Sequence, residues 1–385
     1  MGILPTSIQK HGIRAEEELI VTPVSLTTLN AICPYFTMFP LEFPLGVLSG
    51  RARKGDRVLD PFCGRGTTNF AARILGLKSL GVDSSAVATA ITAAKLVTTT
   101  AESIVGETRQ MLATGEPKRV PRGEFWCWSY DRRVLRALCT LREALLEDCS
   151  TPSRIALRGI LLGALHGPLQ KTFLSYFSNQ CPRTYAPKPA YALRYWKKRK
   201  MKPPRVDVID VIARRAIRYY GASCKPIGAV RQADSRSREA LKPSNPRARF
   251  DWVVTSPPYY GMRTYIPDQW LRNWFVGGPD GIDYINLDQV AHSSPENFAA
   301  DLRLVWANAA AFCADQARLV VRFGSITTRR INPIDVVRDS LRESGWRIAT
   351  LRNAGTATAG KRQADSFLRA TSHAVIEYDV WAVRH

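Results

Sequence analysis

The sequence predicts an α/β protein on a doubly wound, mostly parallel sheet. Two observations carry this: short apolar strands alternate with amphipathic helices at both ends of the chain, and polar or glycine-containing turns follow the strands. A third observation bounds the pattern, because residues 101 to 226 break the alternation and read as mostly helical. The chain has 385 residues, 45% of them hydrophobic, enough apolar surface for a substantial core, which excludes wholesale disorder.

Arg57-Val58-Leu59 forms a short strand ending at Asp60-Pro61. Thr67 is placed to cap a helix whose Phe70, Ala71, Ile74 and Leu75 share a face before Gly76 stops it. Ser79 to Val82 gives a second strand, and Ser84 is the expected cap of a helix carrying Val87, Ile91 and Ala94 at helical spacing. In the helical stretch, Leu135, Leu138, Leu141, Leu145 and the run Ile155 to Leu165 read as core stripes. Sheet rhythm resumes with Ile227 to Arg231 and Phe250 to Thr255. Ser294-Pro295-Glu296 opens a helix through Phe298, Leu302, Val305, Ala309 and Phe312, and Ala317 to Phe323 is a fifth strand. Pro333 to Ser344 is a helix closed by Gly345, and Trp346 to Leu351 with His373 to Trp381 makes a terminal antiparallel pair. The expected organisation is therefore 1–100 and 227–385 as two parts of one sheet domain, with 101–226 inserted as a basic helical region.

Charge points to the partner. Lys and Arg number 55 against 33 Asp and Glu, a net +22, which suits a polyanion. Between Arg183 and Arg249 there are 19 basic residues and 4 acidic ones, so the excess is localised. Within that stretch Arg183, Lys188, Arg194, Lys197, Lys198, Arg199 and Lys200 interleave with Tyr185, Tyr191, Tyr195 and Trp196. These basic residues and Trp196 are the candidate nucleic-acid contacts, with a solvated charged face as the plain alternative. No apolar run reaches the roughly 18 residues of a membrane span and no secretory pattern opens the chain, so a soluble, cytoplasmic protein of a prokaryotic cell without membrane association is expected. Met1 to Thr6 fits the loose myristoylation pattern, a match short enough to arise by chance. Eight cysteines without a Cys-x-x-Cys pair, and five scattered histidines, suggest neither a zinc site nor a disulfide framework.

Two motifs carry chemistry. Asp60-Pro61-Phe62-Cys63-Gly64-Arg65-Gly66-Thr67-Thr68 lies between a strand end and a helix start, where open α/β sheets bind ligands. A dinucleotide fold would place a third glycine near position 69, which is Asn69, so the glycines alone leave a tight structural turn as an alternative. Asp83, ending the second strand, stands where such sites place a carboxylate for ribose hydroxyls; a helix cap is the alternative. Thr255-Ser256-Pro257-Pro258-Tyr259-Tyr260 closes the fourth strand. Its prolines fix the backbone, Ser256 and the Pro257 carbonyl offer acceptors, and Tyr259 offers a flat ring: a cradle for a planar base bearing an amino group, or else a rigid loop.

Together these motifs resemble those of the amino-type S-adenosylmethionine-dependent DNA methyltransferases, the N4-cytosine and N6-adenine family. Asp60 to Thr68 resembles the family's cofactor motif, and Thr255 to Tyr259 its catalytic motif in the Ser-Pro-Pro-Tyr form usually associated with cytosine N4. The resemblance implies a Rossmann-like class I methyltransferase sheet and S-adenosylmethionine as cofactor. It implies Asp60, Phe62, Gly64, Gly66, Thr67 and Asp83 as cofactor-binding residues, joined more loosely by Phe39 and Pro40 in the Phe- and Pro-rich run 36–45 and by Asp234 after the third strand. Ser256, Pro257, Pro258 and Tyr259 are then catalytic, acting on a flipped cytosine in sequence-specific double-stranded DNA, and a cognate restriction endonuclease stays open as a partner. Adenine N6 is the nearest alternative target; RNA or protein amide methylation, and a DNA-binding module with a vestigial cofactor site, are the others. A carbon-5 mechanism is disfavoured, since it needs a Pro-Cys nucleophile and Cys181-Pro182 has the reverse order. The 101–226 insertion resembles no recognition domain that can be named, and it falls before the third strand.

Overall fold

The computed structural model describes residues 27–34, 39–167, 176–182, 188–221, 225, 227–260, 266–282, 294–324, 332–356 and 376–385. Seven strands form one sheet: β1 (Arg57–Asp60), β2 (Lys78–Asp83), β3 (Ala229–Gln232), β4 (Phe250–Thr255), β5 (Cys313–Gly324), β6 (Trp346–Thr356) and β7 (Ile376–Arg384). Their order is β3-β2-β1-β4-β5-β7-β6. The strands from β3 through β5 pair in parallel, whereas β7 runs antiparallel to both β5 and β6. The expected doubly wound, mostly parallel Rossmann-like sheet and its antiparallel terminal pair are thus present. Chain order runs outward from β1 to β3 and restarts at β4 on the other side of β1, which makes the C-terminal ends of β1 and β4 the switch point where ligands bind.

Local chemistry explains the boundaries, and several differ from expectation. The first helix after the glycine loop, Thr67–Ile74, has Gly66 at its N-cap in the left-handed region, so Thr67 is a buried first-turn residue and not the cap. The next helix, Ala86–Leu96, is capped by Ser85, whose hydroxyl accepts the Ala88 amide at 3.3 Å; Ser84 is not the cap. β3 begins two residues later than the apolar run suggested, and β5 starts at Cys313, where it pairs with Phe250 before an irregularity that includes Asp315 and Gln316; regular pairing on both sides begins at Arg318. The helix from Pro333 ends at Leu341, ahead of Gly345.

Among the described residues the insertion supplies helices Ala101–Thr114, Glu124–Ser129, Arg132–Glu147, Pro152–Ala164, Pro189–Lys198 and Val208–Tyr220. Leu135, Leu138, Leu141 and Leu145 are buried as a stripe, in one core with Ile91 and Ala94 of the sheet's own helix layer. Gly159 makes that junction close: a β-carbon there would stand 2.4 Å from the Ala94 β-carbon. The glycine weakens its helix by about 1 kcal/mol, a cost offset by helix packing at short range. The insertion is thereby packed onto the sheet domain, continuous with its core.

Candidate active site

The glycine loop leaves β1 at Asp60 and enters the helix at Thr67. Gly64 and Gly66 both have positive φ, +51° and +73°, a conformation that costs an L-residue with a β-carbon about 1–2 kcal/mol. The two differ in what they face. A β-carbon at Gly64 would meet nothing within 4 Å, so the loop is open to a ligand there. One at Gly66 would stand 2.5 Å from Thr92 Cγ2, so packing against the helix Ala86–Leu96 by itself requires a glycine here. Asn69, standing where a dinucleotide fold would have glycine, donates to the Ser79 hydroxyl at 3.1 Å and fills the space beside Gly81. Arg65 turns inward and donates to the Asn30 carbonyl at 2.6 Å, next to Lys95 on the Asn30 side-chain oxygen at 2.9 Å. Burial pulls the Arg65 guanidinium down to about 10.

Three strand ends are stitched together beside this loop. The Cys63 amide donates to the Val82 carbonyl, the Ala233 amide to the Asp83 carbonyl, both at 3.0 Å, and the Ser235 hydroxyl to the Pro61 carbonyl at 2.5 Å. Asp83 accepts the Gly64 and Ser85 amides, one on each carboxylate oxygen and each at 2.9 Å, so it ties the glycine loop to the start of the next helix. Burial raises its pKa, against the pull of those two amides. Phe62 is half-buried, edge-on to Trp306 at 5.9 Å. Asp234 is engaged by Arg236 through both carboxylate oxygens, and Arg236 reaches on to Asp301 at 3.1 Å. Partial burial would raise the Asp234 pKa, but the hydrogen bonds and charge of Arg236 hold it below the usual carboxylate range. Phe39 stacks edge-on to Phe43 at 5.3 Å against the core that holds Val58 and Val254, and Pro40 is exposed beside it.

Asp60 connects this half of the site to the other. It is fully buried; one oxygen accepts the Phe62 amide at 3.1 Å and the Thr255 hydroxyl at 2.6 Å, while Oδ2 has no hydrogen-bond partner among the described residues. Burial pushes its carboxyl up to about 7, with the Thr255 and Thr68 hydroxyls and the Phe62 amide pulling the other way. Thr255 ends β4, whose Val253 sits beside Leu59 of β1, so the hydroxyl spans the two adjacent strand ends. Beyond it Ser256 and Pro258 are half-buried and Pro257 is buried. The Tyr259 hydroxyl donates to Glu377 on β7, and its ring lies edge-on to Phe323 of β5 at 5.4 Å. The sequence reading missed Thr255 as a link and Glu377 altogether. The signal for Thr255 was its place directly before Ser256; Glu377 lies far from any motif.

The open face of Gly64, the free lone pairs of Asp83 and the orphaned Asp60 oxygen fit a nucleoside cofactor with polar groups.

The basic helix Pro189–Lys198 divides its residues by period. Lys188, Arg194, Lys197, Lys198, Arg199 and Lys200 are exposed. Lys197 is paired with Glu124, and the Arg199 guanidinium lies 3.9 Å over the Tyr195 ring. Trp196 corrects the sequence reading: it is fully buried, donates to the Gln180 carbonyl at 3.0 Å and packs 5.7 Å from Phe125, so it anchors the helix and presents no face to a base. Tyr191, 45% exposed and stacked on Tyr195, is the outward ring. Arg183 and Tyr185 lie outside the described residues.

Comparison with known proteins bears on this site. Residues 17–94 match the family model described as DNA methylase, N6_N4_Mtase, which supports an amino-type DNA methyltransferase of the N4-cytosine/N6-adenine family with S-adenosylmethionine as cofactor. The matched stretch carries Phe39, the glycine loop and Asp83 and stops before Ser256. No curated protein matches the chain. Among solved structures, the rRNA methyltransferase aviRa from Streptomyces viridochromogenes is 14% identical with 96% of each chain covered and a TM-score of 0.34. TrmN from Thermus thermophilus is 10% identical over 90% of this chain and 48% of its own, with a TM-score of 0.32. A SAM-dependent methyltransferase from Methanosarcina mazei is 7% identical over 90% and 98%, with a TM-score of 0.35. Likenesses this slight bear on neither substrate nor mechanism. Among the described residues no helix is long and apolar enough to cross a membrane.

Proposed function

We propose that the protein methylates the exocyclic N4 amine of cytosine in double-stranded DNA, by direct displacement on a base flipped out of the helix. The observation that carries this reading is the Thr255–Asp60 hydrogen bond of 2.6 Å, which sets the Ser-Pro-Pro-Tyr loop of β4 beside the cofactor loop of β1. When bound, S-adenosylmethionine would supply an electrophilic sulfonium methyl with a thioether as its leaving group, and the surplus proton of the target amine would go to water. Gly64, Asp60, Phe62 and Asp83 would hold that cofactor, with Thr67 and Gly66 shaping the loop and Phe39, Pro40 and Asp234 flanking it.

The amine is a poor nucleophile because its lone pair is delocalised into the ring. Ser256 and the Pro257 carbonyl accept its two hydrogens, which favours the pyramidal form, while Tyr259 stacks on the flipped base and Pro258 stiffens the turn. Positioning carries most of the rate. Lys188, Arg194, Lys198, Arg199 and Lys200, with Arg183, serve as phosphate contacts, and Tyr191 takes the stacking role first given to Trp196.

Mass analysis of nucleosides tests the reading, using DNA and, in parallel, RNA from a strain without amino-methyltransferases, each incubated with the protein and S-adenosylmethionine. N4-methylcytosine in the DNA is expected. N6-methyladenine there would transfer the same apparatus to adenine, and modification of RNA alone would overturn the substrate assignment.

A further inference from the structure

Glu377 is buried to 3% exposure, near the start of β7 and 118 residues from the tyrosine whose hydroxyl it accepts. Burying a carboxylate is costly, and an apolar residue of similar size would fill the same volume at less expense. The residues that pair with it across the sheet are both glycines, Gly324 on β5 and Gly355 on β6, so neither cross-strand neighbour has a side chain to cover it. Two residues along the strand, Asp379 is held by Arg322 at 2.7 and 2.8 Å; Glu377 meets the ring that follows the double proline. That ring is also fixed at its edge by Phe323, itself 1% exposed.

We propose that Glu377 is a positioning residue for Tyr259: its carboxylate pins the hydroxyl end of the ring, and Phe323 sets the plane in which the ring meets the target base. The inference rests on the reading of Tyr259 as the stacking ring. A carboxylate does two things here that packing alone does not. It fixes the direction of the hydroxyl, hence the ring's rotation about the axis that the prolines leave free. It also draws the hydroxyl proton toward itself and enriches the ring's π face, which attracts the positive charge that grows on the amine as the methyl group arrives.

Methyl transfer to unmethylated DNA, with RNA in parallel, is measured for Glu377→Gln, Glu377→Leu, Tyr259→Phe and the double variant Tyr259→Phe with Glu377→Leu. Binding of S-adenosylhomocysteine and thermal unfolding are followed on each. Glu377→Leu is expected to lower kcat about tenfold or more while cofactor affinity stays within twofold; Glu377→Gln, whose amide oxygen still accepts the hydroxyl, recovers most of that loss. In the Tyr259→Phe background Glu377→Leu adds little, because the hydroxyl it served is gone. Equal losses from Glu377→Leu in both backgrounds, or an unchanged kcat in a folded Glu377→Leu protein, would overturn the proposal. If Glu377→Leu does not fold, the comparison of Glu377→Gln with Tyr259→Phe decides: a Gln variant as impaired as Tyr259→Phe contradicts it. A Tyr259→Ala protein of normal turnover would remove the stacking role and this inference with it, whereas normal Glu377 variants beside an inactive Tyr259→Ala would remove this inference alone.

Discussion

The glycine loop and the Ser-Pro-Pro-Tyr loop leave neighbouring strands at the same end of the sheet, yet they are held in opposite ways. The glycine loop is held through its own backbone atoms: the Gly64 amide donates to Asp83, the Gly64 carbonyl accepts from Thr92 at 3.0 Å, and positive φ at two glycines lets the turn close. The Ser-Pro-Pro-Tyr loop is held by side chains distant in sequence, Thr255 on Asp60 at a separation of 195 residues and Tyr259 on Glu377 at 118. A loop stabilised by local backbone geometry can be read from a short motif. One stabilised through tertiary partners can be recognised from its own residues, but its supports cannot.

The largest expected effect breaks the first loop. Gly66→Ala places a methyl group against Thr92 at positive φ and should cost about 2–4 kcal/mol in urea unfolding. Gly64→Ala, with open space before it, should cost only about 1–2 kcal/mol of stability and instead weaken cofactor binding, read by calorimetry. Equal stability losses at the two positions would contradict the division between packing glycine and ligand-facing glycine.

Thr255→Val tests whether the loops are coupled. It removes the hydroxyl from the buried Asp60 carboxyl, a loss of about 1–3 kcal/mol, and should reduce cofactor affinity as well as turnover although Thr255 belongs to the catalytic loop. An effect confined to turnover would leave the loops independent. Asp60 adds a pH signature. Its folded pKa near 7 lies above the ordinary value, so its contribution to stability is fully present below about 4 and is lost as pH rises toward 7. Asp60→Asn should therefore gain unfolding free energy relative to the parent between pH 5 and pH 8, by at most about 1.4 kcal/mol per pH unit, read by urea unfolding. A gap that stays constant over that range would mean the carboxyl titrates normally.

The sheet was legible because β1, β2 and β4 are short runs buried almost continuously, as parallel strands covered on both faces are, and because the two chemical motifs sit at strand ends, as ligand sites in such sheets do. Cap positions slipped by one residue where adjacent serines, Ser84 and Ser85, compete on equal chemical terms. Trp196 was misread for a different reason. Aromatic residues interleaved with lysines resemble a stacking surface, but Ala192 and Trp196 lie four apart on the inward face, while Tyr191 and Tyr195 share the outward one. Helical period, applied before residue type, separates them. Glu377 carried no such signal: an acid in a short strand gives no sign of the tyrosine that it will meet.

The smallest expected effect belongs to the basic helix. Replacing Lys198, Arg199 and Lys200 with Gln should flatten the slope of log affinity for DNA against log salt by about 0.9 for each phosphate left unneutralised, with Lys197 adding less because Glu124 pairs with it. An unchanged slope would return these residues to ordinary solvated surface.

The division of labour between the two loops is tested most directly on Ser256→Ala. Single-turnover methyl transfer to DNA is measured at saturating S-adenosylmethionine, with cofactor affinity determined on the same preparation. Affinity within about twofold of the parent, beside a transfer rate reduced about a hundredfold or more, is the expected result. A parental transfer rate, or a fall in cofactor affinity that accounts for the whole loss, would contradict it.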